Sequence, residues 1–215
     1  GTIGKIVRSS LSRGGARKSK KSPAPELEKG TFDYIREPKS DYFSVGFAKT
    51  DVMPDAMDKT AYYVAGYRMN NPAKGVLDPM TASAVWIDDL SGRGGVVFVS
   101  IDDIGLTNYD VGIIRDLLAD FKKESGCRSI NIMSIHNHAS IDTVGLWGPL
   151  PRSGRNKKYM ELLAQKVKQV VLDAYNDRRD GDLYYGKKEA EAIQRDSRLP
   201  EVLSLIHISE PTRPY

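Results

Sequence analysis

Apolar and polar positions along this chain fall into stretches with two periods, and the changes of period mark its elements. Tyr42 to Phe47 and Ala61 to Tyr67 are rich in aromatic and β-branched residues and are bounded by Pro54 and by Asn70-Asn71-Pro72. That composition predicts two strands of an antiparallel or mixed sheet. Thr81 to Ile87 and Val96 to Ile101 read as two more strands, and Asp88 to Gly95 between them reads as a hairpin loop. From Thr107 to Ser125 the period lengthens. Ile113, Ile114, Leu117, Leu118 and Phe121 share one helical stripe, and Gly126 supplies a stop. Arg128 to Ile135 then alternates Ile130, Ile132 and Ser134 against Asn131, Met133 and Ile135, so a strand, helix and strand follow in order. The unit from Val96 to Ile135 is predicted to be βαβ with parallel strands. Between Asn156 and Tyr175, Tyr159, Leu162, Leu163, Val167, Val170, Val171 and Ala174 form a second helical stripe, read as core packing. Asp180-Gly181 should turn into a short strand, Leu183 to Tyr185, ended by Gly186. The expected fold class is α/β or α+β, with a mixed sheet covered by helices.

Residues 1 to 40 are polar, hold Pro23, Pro25 and Pro38, and are expected to be an arm or linker ahead of a domain beginning near Asp41. With 215 residues and 40% hydrophobic content, one domain with a substantial core is the expectation. The formal charge of +4 is unevenly placed: the first 30 residues carry eight Lys and Arg against Glu26 and Glu28, leaving the rest slightly acidic. Nucleic-acid binding needs a basic face on the folded part, so no nucleic-acid partner is expected. The basic arm is read as a solvated linker, with contact to an anionic membrane surface as the alternative. Deleting residues 1 to 30 separates the two: membrane association lost with metal content intact would mark an arm function independent of any site.

Cys127 is the sole cysteine, which excludes an intrachain disulfide framework and a Cys-rich structural zinc site. No run of about 18 apolar residues is present, and the start shows neither an initiator Met nor the apolar core of a signal peptide. The segment from Leu203 to Arg213 resembles the in-frame translation of a transposase adapter used to build sequencing libraries. Residues 203 to 215, His207 included, are therefore set apart from the domain at 41 to 202.

Two histidines remain, in His136-Asn137-His138 directly after a hydrophobic strand. Chain leaving a sheet at the carboxyl edge is where open α/β folds place ligands. Histidine is the usual nitrogen donor to zinc, and residues two apart in extended chain point the same way. Such a pair can serve one pocket, one residue ligating and the other hydrogen-bonding. Two structural histidines at a strand end remain the alternative.

The order Val45-Gly-Phe-Ala-Lys-Thr-Asp51, Val64-Ala-Gly-Tyr67, Val96-Val-Phe-Val-Ser-Ile-Asp102, Ser134-Ile-His-Asn-His138, a long helix and Leu183-Tyr-Tyr-Gly186 resembles the N-terminal part of the neutral or alkaline, non-lysosomal ceramidases. The resemblance runs from about Tyr42 to Pro200. It implies zinc-dependent hydrolysis of the amide of an N-acylsphingosine to a fatty acid and a sphingoid base, and a secreted or membrane-associated setting. It places His136 as a zinc ligand and His138 as the neighbouring hydrogen-bonding histidine. Ile193-Gln-Arg195 is similar to an Asn-Arg-Ser stretch of the family, which makes Arg195 an active-site arginine, with Arg198 close enough to exchange with it and a surface pair with Asp196 or Glu191 as the alternative.

Two departures stand out. The better-known members continue the histidine pair with Ser-Gly and further glycines, where this chain has Ala139 to Thr143. Ser140 and Asp142 could contact substrate there, or form a turn and helix cap. The family's later histidine, glutamate and tyrosine ligands also fall past the end of this sequence, so this chain alone is expected to be inactive. Asp102 and Asp103 follow a strand and could orient the histidines from behind, or cap the turn before the helix. Trp147 could line an apolar entrance for a lipid chain, or anchor its loop. Other metallohydrolases with an HxH strand end fit less well. The metallo-β-lactamase type wants Asp two residues after the second histidine, where Ser140 stands, and barrel amidohydrolases want the pair near the first strand. A binding module with structural histidines is the non-enzymatic alternative. The expected partner is a lipid amide substrate, and oligomeric state is not encoded legibly.

Overall fold

The computed structural model of the chain describes residues 41–55 and 62–189. By contacts the chain divides into Gly1–Asp182 and Leu183–Tyr215. The described residues of the first unit form a five-stranded sheet in the order β4-β3-β2-β1-β5. Its strands are β1 (Phe43–Asp51), β2 (Thr81–Asp88), β3 (Val96–Ile101), β4 (Ser129–Ser134) and β5 (Arg179–Gly181). β1 pairs antiparallel with β2 and β5, β2 antiparallel with β3, and β3 parallel with β4. The sheet is mixed, as the sequence pattern implied, and Asp88 to Gly95 does make the β2–β3 hairpin. Gly95 is fixed there by packing, because a Cβ would stand 2.2 Å from the Trp86 ring.

Among the described residues three helices accompany the sheet: α1 (Asn108–Leu117), α2 (Ala119–Ser125) and α3 (Lys157–Asn176). The single helix expected from Thr107 to Ser125 is thus two, divided at Leu118, whose N–H reaches back to Arg115 O at 3.1 Å in a tightened turn. Thr107 and Asp110 form a capping box at the start of α1, and Gly126 closes α2 in the left-handed conformation at φ 68°. Asn156 caps α3 by accepting from Tyr159 N–H at 3.1 Å. The α3 stripe is core, as read: Tyr159, Leu163, Val167, Val170, Val171 and Ala174 are buried, while Leu162 lies at its margin. Trp86, Phe121 and Tyr175 meet edge to face within that core, with centroids 4.8 to 6.3 Å apart.

Two expected strands are corrected. Described residues of Ala61 to Tyr67 make single bridges only, Tyr63 with Pro72 and Val64 with Ile141, and join no strand of the sheet. Tyr62 instead packs edge to face against Tyr159 of α3, with ring centroids 6.1 Å apart, and Ala65 is buried. The strand after α3 is Arg179–Gly181, paired with Phe43 to Val45, and not Leu183 to Tyr185. In the second unit Leu183, Tyr184 and Tyr185 are exposed. Among the described residues no helix is long and apolar enough to cross a membrane.

The helix-free face of the sheet carries Phe47, Val85 and Phe98 in one cross-strand row. Phe47 and Phe98 remain 53% and 41% exposed, so Phe98→Thr should change stability by no more than about 0.5 kcal/mol in urea unfolding.

Candidate functional site

β3 and β4 run parallel, so the segments leaving their carboxyl ends lie side by side. Backbone carbonyls after β3 hold the histidine loop after β4. Ile101 O accepts from Ile135 N–H at 3.1 Å, and Asp103 O accepts from Asn137 N–H at 2.8 Å. Ile104 O lies 2.9 Å from His136 Nδ1, and Gly105 O accepts from the Thr143 hydroxyl at 2.6 Å. His136 sits at φ +64°, a left-handed conformation that costs a non-glycine residue about 1–2 kcal/mol. These flanking bonds hold it there.

A carbonyl can only accept, so the Ile104 contact puts the proton of neutral His136 on Nδ1 and leaves the Nε2 lone pair free. His138 Nε2 stands 3.1 Å from that nitrogen, with the two rings at 84°. His138 therefore donates from Nε2 to His136. The two predicted histidines converge on one point.

This donor set fits part of a zinc shell. His136 Nε2 offers a lone pair that can ligate zinc, and His138, with its proton on Nε2, stands beside it as a hydrogen-bond donor. A backbone carbonyl on the far nitrogen is the usual outer support of a ligating histidine. Among the described residues, however, no group of three or more His, Cys, Asp or Glu converges. The pair offers two nitrogens at most, and only that of His136 with a free lone pair, whereas a catalytic zinc commonly takes three protein ligands.

The remaining predicted residues separate. Trp147 is beside the pair, its ring 6.5 Å from that of His138. Asp102 does not brace the histidines: its Oδ2 accepts from the Thr81 N–H at 2.8 Å and hydroxyl at 2.7 Å, tying β3 to the start of β2. Asp142 takes the turn alternative. It is fully buried, and its oxygens accept from the amides of Val144, Gly145 and Trp147 at 3.1, 2.6 and 2.8 Å. A substrate contact there would have to displace a backbone amide. Asp142→Ala should therefore destabilise the loop by roughly 1–3 kcal/mol, seen as faster amide exchange from Val144 to Trp147. Ser140 is a turn residue too, donating to Asn137 O at 2.6 Å. Arg195 and Arg198 lie outside the described residues.

Asp103 is the electrostatic anomaly. It is 1% exposed, with neither oxygen in hydrogen-bond geometry, although Ser134 and Gly105 lie near enough to act on it. Burial pushes its pKa up to about 6. The Ser134 hydroxyl opposes this, and the charges of Asp102 and Asp110 add to it. The Tyr159 phenol is also buried without a partner and is pushed up, by burial first and then by the Asp103 charge. The nearby Asp110 is paired: Arg155 reaches both of its oxygens and also donates to Thr143 O at 3.2 Å. That pair clamps the loop after the histidines to the first turn of α1.

Tyr67 is the site residue that pattern reading missed. Its ring stacks on His138 at 4.9 Å and 21°. The strand composition of Ala61 to Tyr67 concealed it, although it closes the quoted Val64-Ala-Gly-Tyr67 string. A cavity of about 480 Å³ borders the loop at Asn137 and Ala139 and is walled by Met53, Val76, Leu77 and Met80.

No protein-family model matches this chain, and no curated protein matches it by sequence. Two solved structures are similar in fold. A ceramidase complexed with C2 has a TM-score of 0.55 at 18% identity, over 75% of this chain and 25% of that one. The neutral ceramidase from Pseudomonas aeruginosa has a TM-score of 0.50 at 15% identity, over 64% and 22%. The chain thus spans about a quarter of the length of the structures it matches. In fold, it resembles a fragment of the neutral ceramidases.

Proposed function

We propose that this chain is part of a zinc-dependent amidohydrolase that cleaves the amide bond of a ceramide-type lipid, giving a fatty acid and a sphingoid base. The observation that carries the reading is the approach of His136 Nε2 and His138 Nε2 to 3.1 Å at the carboxyl edge of a parallel strand pair, with His136 Nδ1 held by Ile104 O. A zinc ion held in part by His136 would supply Lewis acidity, polarising the amide carbonyl and activating water.

The other roles belong to the chain itself. In the neutral ring, Ile104 O keeps the proton on His136 Nδ1, so that Nε2 offers its lone pair toward the site. His138 Nε2–H, on a fixed loop, can donate to the oxygen on which negative charge develops as the carbonyl is attacked. Trp147 and the exposed Leu146 and Leu150 give the adjoining loop an apolar character suited to hydrocarbon. The cavity of about 480 Å³ beside Asn137 is within the size range of small-molecule sites and would take part of an acyl chain. Arg195 is proposed as a further active-site residue.

Two nitrogens do not complete a catalytic shell, so the 215-residue chain should bind zinc weakly and turn over no ceramide. Robust hydrolysis by this chain alone would overturn the missing-ligand argument. In a longer protein that contains this chain and a complete zinc shell, His136→Ala should abolish stoichiometric zinc in metal analysis. Unchanged zinc would remove His136 from the site.

A further inference from the structure

The two histidines are held in different ways. His136 is fixed from behind by a hydrogen bond to Ile104 O, whereas His138 Nδ1 is buried and has no hydrogen-bond partner. An imidazole lacking that second bond can turn about its side-chain torsions, which would carry Nε2 away from His136. Its one polar contact, Nε2 to His136 Nε2 at 3.1 Å, holds a single ring atom and leaves the far side of the ring to be fixed by packing.

The segment running antiparallel to the histidine loop supplies this. Ala65 N–H donates to Ser140 O at 2.9 Å, Asp142 N–H to Tyr63 O at 2.8 Å, and Asn70 N–H to Trp147 O at 2.9 Å. Those bonds bring Gly66 against His138. A Cβ on Gly66 would lie 2.9 Å from His138 Nδ1 and 3.0 Å from its carbonyl oxygen, and the backbone there has φ +147°. Only glycine allows this approach without strain. The next side chain, Tyr67, then lies nearly parallel to the imidazole at 4.9 Å. Stacked rings at such a separation attract, which biases the His138 rotamer although Tyr67 itself is 97% exposed. Trp147 meets the same imidazole only by its edge at 6.5 Å, and so constrains its rotation less.

We infer that Tyr67 is a positioning residue for His138: its ring, brought in by the glycine before it, replaces the missing Nδ1 hydrogen bond and aims Nε2 at the shared point. The inference rests on the functional reading only in what that orientation is for; the orientation itself can be measured without zinc or substrate.

The test is NMR of the imidazole protons and nitrogens in the whole 215-residue chain, where only His136, His138 and His207 contribute. In the parent chain the His138 ring protons should be displaced upfield by the Tyr67 ring current. Tyr67→Ala should abolish that displacement and broaden or average the His138 signals, while the His136 Nδ1 proton, held by Ile104 O, is still observed. Tyr67→Phe, which keeps the ring, should restore the parent pattern. The inference is overturned if Tyr67→Ala leaves the His138 signals in place, if it abolishes the His136 Nδ1 proton signal as well, or if Tyr67→Phe behaves as Tyr67→Ala. These spectra are recorded without zinc, so a failed Tyr67 effect counts against the positioning role alone, whereas the zinc reading stands or falls on metal analysis of the His136→Ala variant.

Discussion

Replacing Asp103 with Asn is expected to stabilise the fold at neutral and alkaline pH and to have much less effect in acid. Its carboxyl ordinarily titrates at 3.8, and burial in the fold pushes it to about 6. Below pH 3.8 both the folded and unfolded chains hold the proton, and this group imposes no electrostatic penalty. As pH rises, the unfolded chain releases its proton first, so the folded state loses ground until about pH 6 is passed. Two units of pKa at about 1.4 kcal/mol each make the loss about 3 kcal/mol. Asn cannot ionise and escapes this loss. Urea unfolding of both proteins at pH 4 and pH 8 should therefore show a stability difference that grows in favour of the variant by about 2.4 kcal/mol, part of the loss being already present at pH 4. A difference independent of pH would mean that Asp103 is not a buried, destabilised carboxylate.

Asp110→Ala should act in the opposite direction and at least as strongly. Asp110 is 4% exposed and takes both arms of Arg155, itself only 21% exposed at the side chain. Removing the carboxylate strands a mostly buried guanidinium, a change that typically costs 3–5 kcal/mol. It also removes the acceptor of Thr107 N–H and its hydroxyl, 3.1 and 2.6 Å away, loosening the cap of α1 by about 1 kcal/mol. Paired replacement of Asp110 with Leu and Arg155 with Met should recover much of the loss, because two well-packed apolar groups leave no unpaired charge. The comparison is one of unfolding midpoints at pH 7. If the single and double variants fell equally, the pair's role would lie in the cap rather than in charge compensation.

These two aspartates mark the boundary of what pattern reading could reach. Asp103 was legible as a strand-end carboxylate, but its isolation depends on Tyr159, which arrives from α3 more than fifty positions later in the sequence. Arg155 was not singled out at all, because an arginine near a helix start looks like any solvated cation until Asp110 is seen opposite it. Asp102 and Asp142 were read with alternatives. The oxygens of Asp142 take the amides of Val144, Gly145 and Trp147, which are covalently close and cost little entropy to recruit. Those of Asp102 take Thr81, a residue of another strand that only the β2–β3 pairing brings beside it.

By itself, the sequence determined whatever repeats with the period of a strand or a helix. The alternation in β2, β3 and β4, the stripe of α3 and the hairpin at Gly95 all follow from which side chains must leave water. It also determined that His136 and His138 leave a strand end together. Tertiary structure decided everything that depends on a partner distant in the chain. The aromatic segment ending at Tyr67 became a strap against His138 rather than a strand, and β5 formed at Arg179–Gly181 because that stretch lies against Phe43 to Val45. The Ile104 carbonyl, invisible to any pattern of side chains, fixed which nitrogen of His136 faces the site. Hydrophobic periodicity constrains one residue at a time against water, whereas these contacts are made between pairs, and a pair exists only once the fold has brought both members to one place.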